Sequence, residues 1–387
     1  MLLGCKRSGG SGGSSALKIG VFGTMSGPQG VQGRELERGL MLALEGAGME
    51  AGGRKIEIIK QDDKNDAHIG VDIVKRFIDV DKVDLIVGPT HSHVALAVRS
   101  IVHDAKVIMV NANAGAVQLA GALCSPYVIT VGRVNALYPE AMGRYLARKG
   151  IKSVVVTAAN YAAGLDIVQG FKEAFVNEGG GKVVGELLPP LETMDFAPFL
   201  TDMAAAKADA AFAFFSADQA INFIKQYDQV GLKAKLPLYT TGFTVEQDVL
   251  PAEGDSALGV FSTSIYAPFL DNEANKKFAP AYREKYGALP PEWALVSYDA
   301  GQLILAALNA VSGNTENKDA LINSLMTTKI DSPRGPFKMG PNHTPVQDAY
   351  LREVVKSDGT LTNKIIATAW AGYYFPGEGC TLPGVKH

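Results

Sequence analysis

The sequence predicts an α/β protein with two lobes, each built on a mostly parallel β-sheet. The chain has 387 residues, which is more than a single hydrophobic core usually serves. Short apolar runs alternate with amphipathic helical segments, and this alternation pauses after residue 133 and then restarts. We therefore expect each series to form its own sheet, with right-handed crossovers.

The first series contains strands that are continuous apolar runs, as in sheets covered on both faces. These predicted strands are LKIGVFG, KIEIIKQDD, DLIVGPT, KVIMVNAN and YVITVGR. The segments between them repeat apolar residues at helical spacing. These predicted helices are GRELERGLMLALEGAG, AHIGVDIVKRFIDVD and SHVALAVRSIVHD.

The second series has the same organisation, with helices such as LDIVQGFKEAFVNEG and DQAINFIKQYDQVG between strands. Its predicted strands are KSVVVTAAN, KVVGELLPP, AAFAFFS, LPLYTTG and GVFSTSIYA. Two helices follow, KKFAPAYREKYG and WALVSYDAGQLILAALNAV, and then a proline-rich strand at SPRGPFKM. The segments AYLREVVKSDGTL and IIATAWAGYY predict antiparallel strands around a turn at Ser357-Asp358-Gly359.

Composition and charge exclude several functions. Apolar residues make up 47% of the chain and charged residues 20%, values typical of a globular protein. The formal net charge of −3 gives no electrostatic basis for nucleic-acid binding. The sequence contains no uncharged apolar run of the roughly 18 residues that a transmembrane helix needs. It has no GxSxG elbow between a predicted strand and helix, the match at residues 9–13 being part of a Gly/Ser-rich stretch, and it lacks the GxxxxGK[ST] and HExxH motifs, so no catalytic apparatus or cofactor is expected.

Residues 1–16 are rich in Gly and Ser and predict a flexible tether. Within them, Leu3-Gly4-Cys5 is similar to the end of a bacterial lipoprotein signal, in which the cysteine becomes the lipidated N-terminus. Only two residues precede this motif, so the hydrophobic part of a secretion signal is not seen. Two interpretations stay open, namely a mature lipoprotein, which we prefer, and an engineered tag.

Cys124 and Cys380 are the other two cysteines. Neither has the spacing of a CxxC or Cys/His metal site, so no metal is expected. Both lie in turn-like sequence, ALCSPY and GEGCTLPG. In an exported protein we expect them to form one disulfide that ties the C-terminal tail to the first lobe. The alternative is two unrelated thiols.

The loops after the first and third predicted strands are candidates for a ligand site. In an open parallel sheet the crevice lies beyond the carboxyl ends of the strands, where helix N-termini offer N–H groups to anionic atoms. Met25, Ser26, Gly27, His91 and Ser92 are therefore expected to face one cleft.

His91 and His93 are the only residues that suggest chemistry. Histidines two apart alternate faces on a strand, and no Cys or carboxylate cluster accompanies them. We therefore expect no metal site. His91 is interpreted as a hydrogen-bonding pocket residue, with a catalytic base as the alternative, and His93 as a surface residue at a helix start.

Together these segments resemble the type I periplasmic binding proteins of the branched-chain amino acid transport group, which are leucine-binding-protein-like. The resemblance covers residues 17 to about 375. It is carried by IGVFGTMSGPQGVQGRELERGLMLALE, QDDKND, IVGPTHSHVALAV, ANYAAGLDIVQGF, SYDAG and SPRGPFKMGPNH. It implies two Rossmann-like lobes joined by three crossover strands, with the ligand captured between them as the hinge closes.

The resemblance also implies lobe boundaries and partners. Residues 17–133 and 267–340 are expected to form the first lobe, 134–266 and 341–375 the second, and 376–387 a C-terminal tail. Such proteins are monomers in the periplasm, or tethered to the membrane outside the cell. They deliver a small molecule to the membrane permease of an ABC transporter and perform no chemistry themselves.

In amino-acid-binding members, the ligand carboxylate is held by a serine after the Gly-Pro strand end and by the next strand-end loop. The matching positions here are Ser92 and the loop Asn111, Ala112, Asn113 and Ala114. Hydroxyl and backbone N–H donors at a helix start suit a carboxylate. The usual threonine of that loop is Ala114 in this chain, and Asn113 is expected to replace its donor.

The ligand α-ammonium is met in those members by an acid in the loop that matches YTTGFTVEQ. This chain has Thr241, Gly242 and Phe243 there, without an acid. A buried ammonium without a partner is costly. We therefore expect a ligand without an amine, unless Glu246 or Asp218 reaches it.

Aromatic and polar residues complete the predicted pocket. The resemblance places Tyr161 over the ligand from the second lobe, which fits the general use of aromatic side chains in small-ligand clefts. Phe243 and Phe215 are weaker candidates, because aromatic residues at strand ends are usually core. Gln29 and Met25 are expected to line the first-lobe wall.

The preferred function is therefore an extracytoplasmic solute-binding protein for a small carboxylate, either a hydrophobic amino acid or an aromatic or aliphatic acid. One alternative is the ligand-sensing domain of a receptor or regulator, a use to which the same fold is put. Another is an α/β enzyme that uses His91.

Overall fold

A computed structural model describes residues 16–357 and 359–385, which form two β-sheets with helices packed on their faces. Cys5, the rest of the predicted tether up to residue 15, and Asp358 of the predicted turn lie outside the described residues. The strands are β1 (Leu17–Gly23), β2 (Glu50–Ala51), β3 (Arg54–Asp62), β4 (Leu85–Val87), β5 (Ile108–Asn111), β6 (Val128–Thr130), β7 (Ser153–Ala158), β8 (Lys182–Leu187), β9 (Ala210–Phe214), β10 (Leu238–Thr241), β11 (Phe261–Ser264), β12 (Phe337–Met339), β13 (Pro345–Ser357) and β14 (Thr360–Tyr373).

The helices occupy the connections between these strands. They are α1 (Gly30–Gly46), α2 (Ala67–Arg76), α3 (Ser92–Ala105), α4 (Val117–Ala120), α5 (Leu137–Arg148), α6 (Ala162–Lys172), α7 (Ala197–Ala205), α8 (Ala217–Gln229), α9 (Leu250–Glu253), α10 (Glu273–Tyr286), α11 (Glu292–Ala310) and α12 (Lys318–Thr327). No helix in the described ranges combines the length and apolar character needed to cross a bilayer.

The first sheet has the strand order β2-β3-β1-β4-β5-β6 and is parallel except for β2. Every residue of β4 and β5 is buried, as the continuous apolar runs predict. Helix α11 packs closely against α1 at Gly39. A Cβ atom at this position would lie only 1.9 Å from the carbonyl oxygen of Ala294. The segment after the second series therefore returns to the first lobe.

The second sheet has the order β12-β13-β11-β10-β9-β7-β8, with β14 paired to β13. Strands β7 to β11 are mutually parallel, whereas β13 runs antiparallel to β11, β12 and β14. The two-lobed α/β class with mostly parallel sheets is thus confirmed. Loops at the carboxyl ends of both sheets face the space between the lobes, and this arrangement positions the site.

A buried arginine ties the segments that connect the two lobes. Arg334 is 1% exposed. Its Nε and Nη2 donate to Asp299 Oδ2 at 2.9 and 2.7 Å. Its Nη1 donates to the carbonyls of Val131 and Gly132 at 3.1 and 2.9 Å and to Gln347 Oε1 at 2.6 Å. One side chain therefore joins α11, the chain beyond β6 and strand β13.

A disulfide joins Cys124 to Cys380, with 5.5 Å between their Cα atoms and a sequence separation of 256. Both cysteines are buried. The bond attaches the C-terminal segment to the loop between α4 and β6. Because a cross-link stabilises mainly by restricting the unfolded chain, a loop of this length gives a large effect.

Removing the disulfide is expected to lower the free energy of unfolding by about 3 kcal/mol. The Cys124→Ala/Cys380→Ala double variant leaves no free thiol at the site, and urea denaturation measures the change. Thr381→Ser, next to the bond and exposed, serves as a control and should leave the midpoint unchanged. Equal midpoints for the double variant and the wild-type protein would show that the cross-link contributes nothing.

Candidate functional site

A small cavity of about 20 Å³ lies between the lobes, where strand-end loops of both sheets meet. The first lobe and the connection beyond β6 supply Gln32, Thr90, His91, Ser92, Asn113, Ala114, Gly115, Arg133 and Asn135. The second lobe and the start of α11 supply Tyr161, Ala163, Phe214, Ser216, Phe243 and Trp293. Apolar rings and a few converging polar groups are typical of small-molecule sites.

Arg133 is the single positively charged side chain that lines the cavity within the described ranges. It is 3% exposed. Its Nη1 donates to the carbonyl oxygen and Oδ1 of Asn113 at 3.3 and 2.9 Å and lies 3.4 Å from Glu292 Oε1. Its Nε is buried and has no hydrogen-bond partner among the described residues. The Nε edge of the guanidinium is therefore available to an oxyanion.

Four rings form a row beside this guanidinium, and we call Tyr161, Phe214, Phe243 and Trp293 the aromatic row. Arg133 Cζ lies 4.1 Å from the ring centroid of Phe243. Phe243 stacks on Trp293 at 4.7 Å and meets Phe214 edge-on at 5.8 Å. Phe214 in turn stacks on Tyr161 at 6.1 Å. Such a row suits a flat apolar ligand body.

The start of α3 adds hydrogen-bond donors. Ser92 is its first residue, and the first N–H groups of a helix have no partner within the helix. Ser92 Oγ accepts a hydrogen bond from Asn135 Nδ2 at 3.2 Å, so its own proton can be donated to a ligand. Asn135 Nδ2 also donates to Asp166 Oδ2 at 2.9 Å. Burial raises the pKa of the Asp166 carboxyl, and the hydrogen bond from Asn135 opposes this.

The loop beyond β5 is held by its own asparagines. Asn111 Nδ2 donates to the Ala114 carbonyl at 2.5 Å and to Thr130 Oγ1 at 3.1 Å. Asn113 Nδ2 donates to the Thr90 carbonyl at 2.6 Å. Asn113 and Ala114 line the cavity, whereas Asn111 lies behind it and fixes the loop shape.

His91 lies on the cavity wall at the N-cap of α3, and a turn separates it from β4. Its Nδ1 lies 3.0 Å from Thr24 Oγ1, and this hydroxyl donates to Asp63 Oδ1 at 2.7 Å. Its Nε2 is buried without a hydrogen-bond partner in the described structure. Burial, and then the nearby His93, lower the pKa of His91 to about 3, so the ring is neutral at neutral pH.

Contacts between Gln29 and Ser216 cross from one lobe to the other beside the cavity. Ser216 Oγ donates to Gln29 Oε1 at 3.1 Å, and Gln29 Nε2 lies 3.5 Å from the Ser216 carbonyl. Gln32 Nε2 supports Gln29 by donating to Oε1 at 3.0 Å. We call the pair Gln29 and Ser216 the interlobe bridge.

Six of the residues predicted from the sequence line this cavity. They are His91, Ser92, Asn113, Ala114, Tyr161 and Phe243. The other predicted residues do not line the cavity. The main difference from the prediction is in the loop after β1. Met25 is half-buried and its N–H donates to Asp62 Oδ1, while Ser26 and Gly27 are exposed. Ala112 is buried in the first-lobe core.

On the second lobe, Gly242 is buried and its carbonyl accepts a hydrogen bond from Arg352 at 3.1 Å. Phe215 packs on Phe196 in the core. Both therefore lie behind the cavity wall. His93, the predicted helix-start surface residue, lies in the first turn of α3 and is half-buried, with Nε2 3.1 Å from the Asn65 carbonyl.

Neither candidate partner for a ligand amine lines the cavity. Glu246 is fully buried and its Oε2 accepts from Arg352 at 3.2 Å. Asp218 is exposed, and its backbone N–H lies 3.4 Å from the Pro28 carbonyl. Among the residues that the structure describes, no Asp or Glu side chain lines the cavity.

Sequence reasoning missed several cavity residues. Arg133 is the last residue of the predicted strand YVITVGR, although a cation just beyond a buried strand is itself a signal for an anion site. Trp293 belongs to a helix that packs on the first lobe, and its Nε1 donates to Asp248 Oδ2 at 3.1 Å, which fixes the ring. No pattern in the chain links that helix to the cleft.

Two mostly parallel lobes with a cavity between their strand ends are typical of solute-binding proteins. A family model described as "Periplasmic binding protein" matches residues 16–360. The chain belongs to this family, whose members are periplasmic solute-binding proteins rather than enzymes.

Individual relatives are similar over nearly the whole length. Leu/Ile/Val-binding protein homolog 6 of Brucella suis is 31% identical over 363 residues, which cover 92% of each chain. A solute-binding protein of an ABC transporter from R. palustris, solved with benzoate, is 32% identical with a TM-score of 0.90, covering 95% of this chain and 100% of that one. A solute-binding protein from Rhodopseudomonas palustris BisB5, solved with 3,4-dihydroxybenzoic acid, is 34% identical with a TM-score of 0.88, covering 94% and 99%.

Proposed function

We propose that this protein binds an aromatic carboxylate without an amine in the interlobe cavity and delivers it to the membrane permease of an ABC importer. The observation that carries this proposal is Arg133. It is a buried guanidinium with an unpaired Nε, and it lies against the aromatic row. A ligand that joins a carboxylate to a flat ring satisfies both features.

The charges around the cavity favour a ligand without an amine. Arg133 is its only charged lining residue within the described ranges. An α-ammonium placed there would meet a cation and no carboxylate side chain, and an unpaired buried charge is costly. Glu292 lies behind Arg133, where it contacts the guanidinium.

The lining of the cavity supports a flat ligand. The cavity itself has a volume of about 20 Å³ in this structure, which is room for about one water molecule, so in this proposal the lobes move apart to admit the ligand. We infer that the carboxylate contacts the Nε edge of Arg133, with Ser92 Oγ and the first N–H groups of α3 as further donors. The ring then packs along Phe214 and Phe243.

The relatives support an aromatic acid as the ligand, but their sequence identities to this chain do not decide between aromatic acids and amino acids. The Rhodopseudomonas proteins were solved with benzoate or its dihydroxy derivative, whereas the Brucella relative is named for leucine, isoleucine and valine at nearly the same identity. The absence of a carboxylate side chain on the cavity wall within the described ranges favours the aromatic acids.

The transport cycle that we propose begins with the ligand docked on Ser92, Arg133 and the Asn113 loop. The second lobe then closes with Tyr161, and the permease recognises the closed form. We keep the lobe boundaries given above and a monomeric state as part of this proposal. Lipidation at Cys5, outside the described residues, would tether the protein to the membrane.

Calorimetric titration with matched ligands tests this proposal. 3-Phenylpropionate and L-phenylalanine differ only by the ammonium group, as do 4-methylpentanoate and L-leucine. Benzoate and 3-phenylpropionate are expected to bind, and each amino acid about 100-fold more weakly than its amine-free partner. Tighter binding of L-leucine than of every amine-free acid would refute the proposal.

A further inference from the structure

We infer that His91 is a specificity residue whose Nε2 accepts a hydrogen bond from a ring hydroxyl, so that the site prefers hydroxylated aromatic carboxylates to unsubstituted ones. This inference rests on the proposed function and adds a second polar anchor to it. It starts from the buried, unpartnered Nε2 of His91 on the cavity wall.

The tautomer of His91 follows from its neighbours. Thr24 Oγ1 donates its single proton to Asp63 Oδ1 at 2.7 Å. Oγ1 can therefore only accept from His91 Nδ1, 3.0 Å away, so Nδ1 carries the ring proton. Because the ring is neutral, Nε2 keeps an unshared electron pair. The cavity wall thus presents a hydrogen-bond acceptor at this point.

A backbone hydrogen bond fixes the carboxylate group of Asp63, which accepts the proton of Thr24. Its Oδ1 also accepts from the N–H of Asn65 at 2.9 Å. Burial raises the pKa of Asp63, and the hydrogen bonds from Thr24 and Asn65 oppose that rise. Asp63 Oδ1 orients the Thr24 hydroxyl by accepting its proton, and Thr24 in turn orients the imidazole. Thr24 is therefore a positioning residue.

His91 and Arg133 lie against different rings of the aromatic row. His91 lies against Tyr161, with 6.2 Å between ring centroids, whereas Arg133 lies over Phe243. Tyr161 and Phe243 both contact Phe214, the first stacked on it and the second edge-on. A ring whose carboxylate contacts Arg133 can therefore direct a hydroxyl away from that end toward Nε2. A ligand without a donor leaves Nε2 buried and unpaired, which is penalised.

Titration of the wild-type protein with benzoate and its 2-, 3- and 4-hydroxy derivatives tests this inference. The 3- or the 4-hydroxy acid is expected to bind at least about 10-fold more tightly than benzoate. 2-Hydroxybenzoate is the ligand control, because its hydroxyl donates to its own carboxylate, and it should show no such gain. If benzoate binds as tightly as all three derivatives, the inference is wrong and the proposed function stands. If only amino acids bind, both fail.

Two variants and one spectrum assign the preference to His91. His91→Phe should abolish the 10-fold preference while benzoate still binds, and Thr24→Val should reduce the preference. His103→Phe, at the far end of the same helix, should leave it unchanged. Independently of any variant, long-range ¹H–¹⁵N spectra of the wild-type protein should show an unprotonated Nε2 in His91. A protonated Nε2 would overturn the inference.

Discussion

Replacing Arg133 with methionine is expected to weaken benzoate binding by about 100-fold or more, because a buried charge-assisted contact is lost while the packing volume is kept. The guanidinium is the only cation on the cavity wall within the described ranges. Neutral benzamide should lose much less affinity, since it does not require the charge. Isothermal titration of both ligands measures the two effects.

Control variants separate this effect from a general disturbance. Arg144→Met removes another guanidinium that lies over a ring, 3.9 Å from Trp370, and pairs with Glu178 away from the cavity. It should leave benzoate affinity unchanged. Arg133→Met also leaves Glu292 without its cation, so the Arg133→Met/Glu292→Gln double variant should bind benzoate as weakly as the single one. Equal affinity of Arg133→Met and wild type would exclude Arg133 from carboxylate recognition.

Arg334→Met is expected to lower the free energy of unfolding by about 3–5 kcal/mol, because it leaves Asp299 buried without its cation. Asp299 is fully buried and its Oδ2 accepts two hydrogen bonds from Arg334. The variant also removes the donor to the carbonyls of Val131 and Gly132. Urea denaturation followed by circular dichroism measures the change.

The partly exposed pair Arg144 and Glu178 again provides the comparison. Arg144→Met should cost less than about 1 kcal/mol, as is usual for surface ion pairs. Asp299→Leu/Arg334→Met, which removes both charges, should recover part of the lost stability. A cost for Arg334→Met as small as that for Arg144→Met would show that the connections between the lobes are held by other contacts.

Local patterns predicted most of the fold, because burial on both faces of a parallel sheet leaves long apolar runs in the sequence. Strand β1 begins and ends at the predicted residues, Leu17 and Gly23. The main differences lie at strand ends, where β6 stops at Thr130 and leaves Arg133 in a connection. The propensity of residues to form β-strands does not indicate where hydrogen bonding to the adjacent strand ends.

The site was less predictable, because its residues come from separate strand ends and from a helix of the returning segment. Ser92 and His91 follow a recognisable Gly-Pro strand end, and both line the cavity. Trp293 and the pairing of Gln29 with Ser216, 187 residues apart, depend on how the lobes pack. Side chains that meet only across a cleft leave no periodic signal along the chain.

In the proposed closure, the contact between Gln29 and Ser216 contributes to the strength of binding but not to the choice between ligands. Gln29 and Ser216 hold each other directly, so in the proposed closure their contact adds the same free energy whichever ligand is enclosed. A substitution of Gln29, which does not line the cavity, would then change all dissociation constants by one common factor. Under the proposed function, changes at Gln29 therefore adjust how tightly every ligand is held, without altering the order of preference that the cavity wall sets.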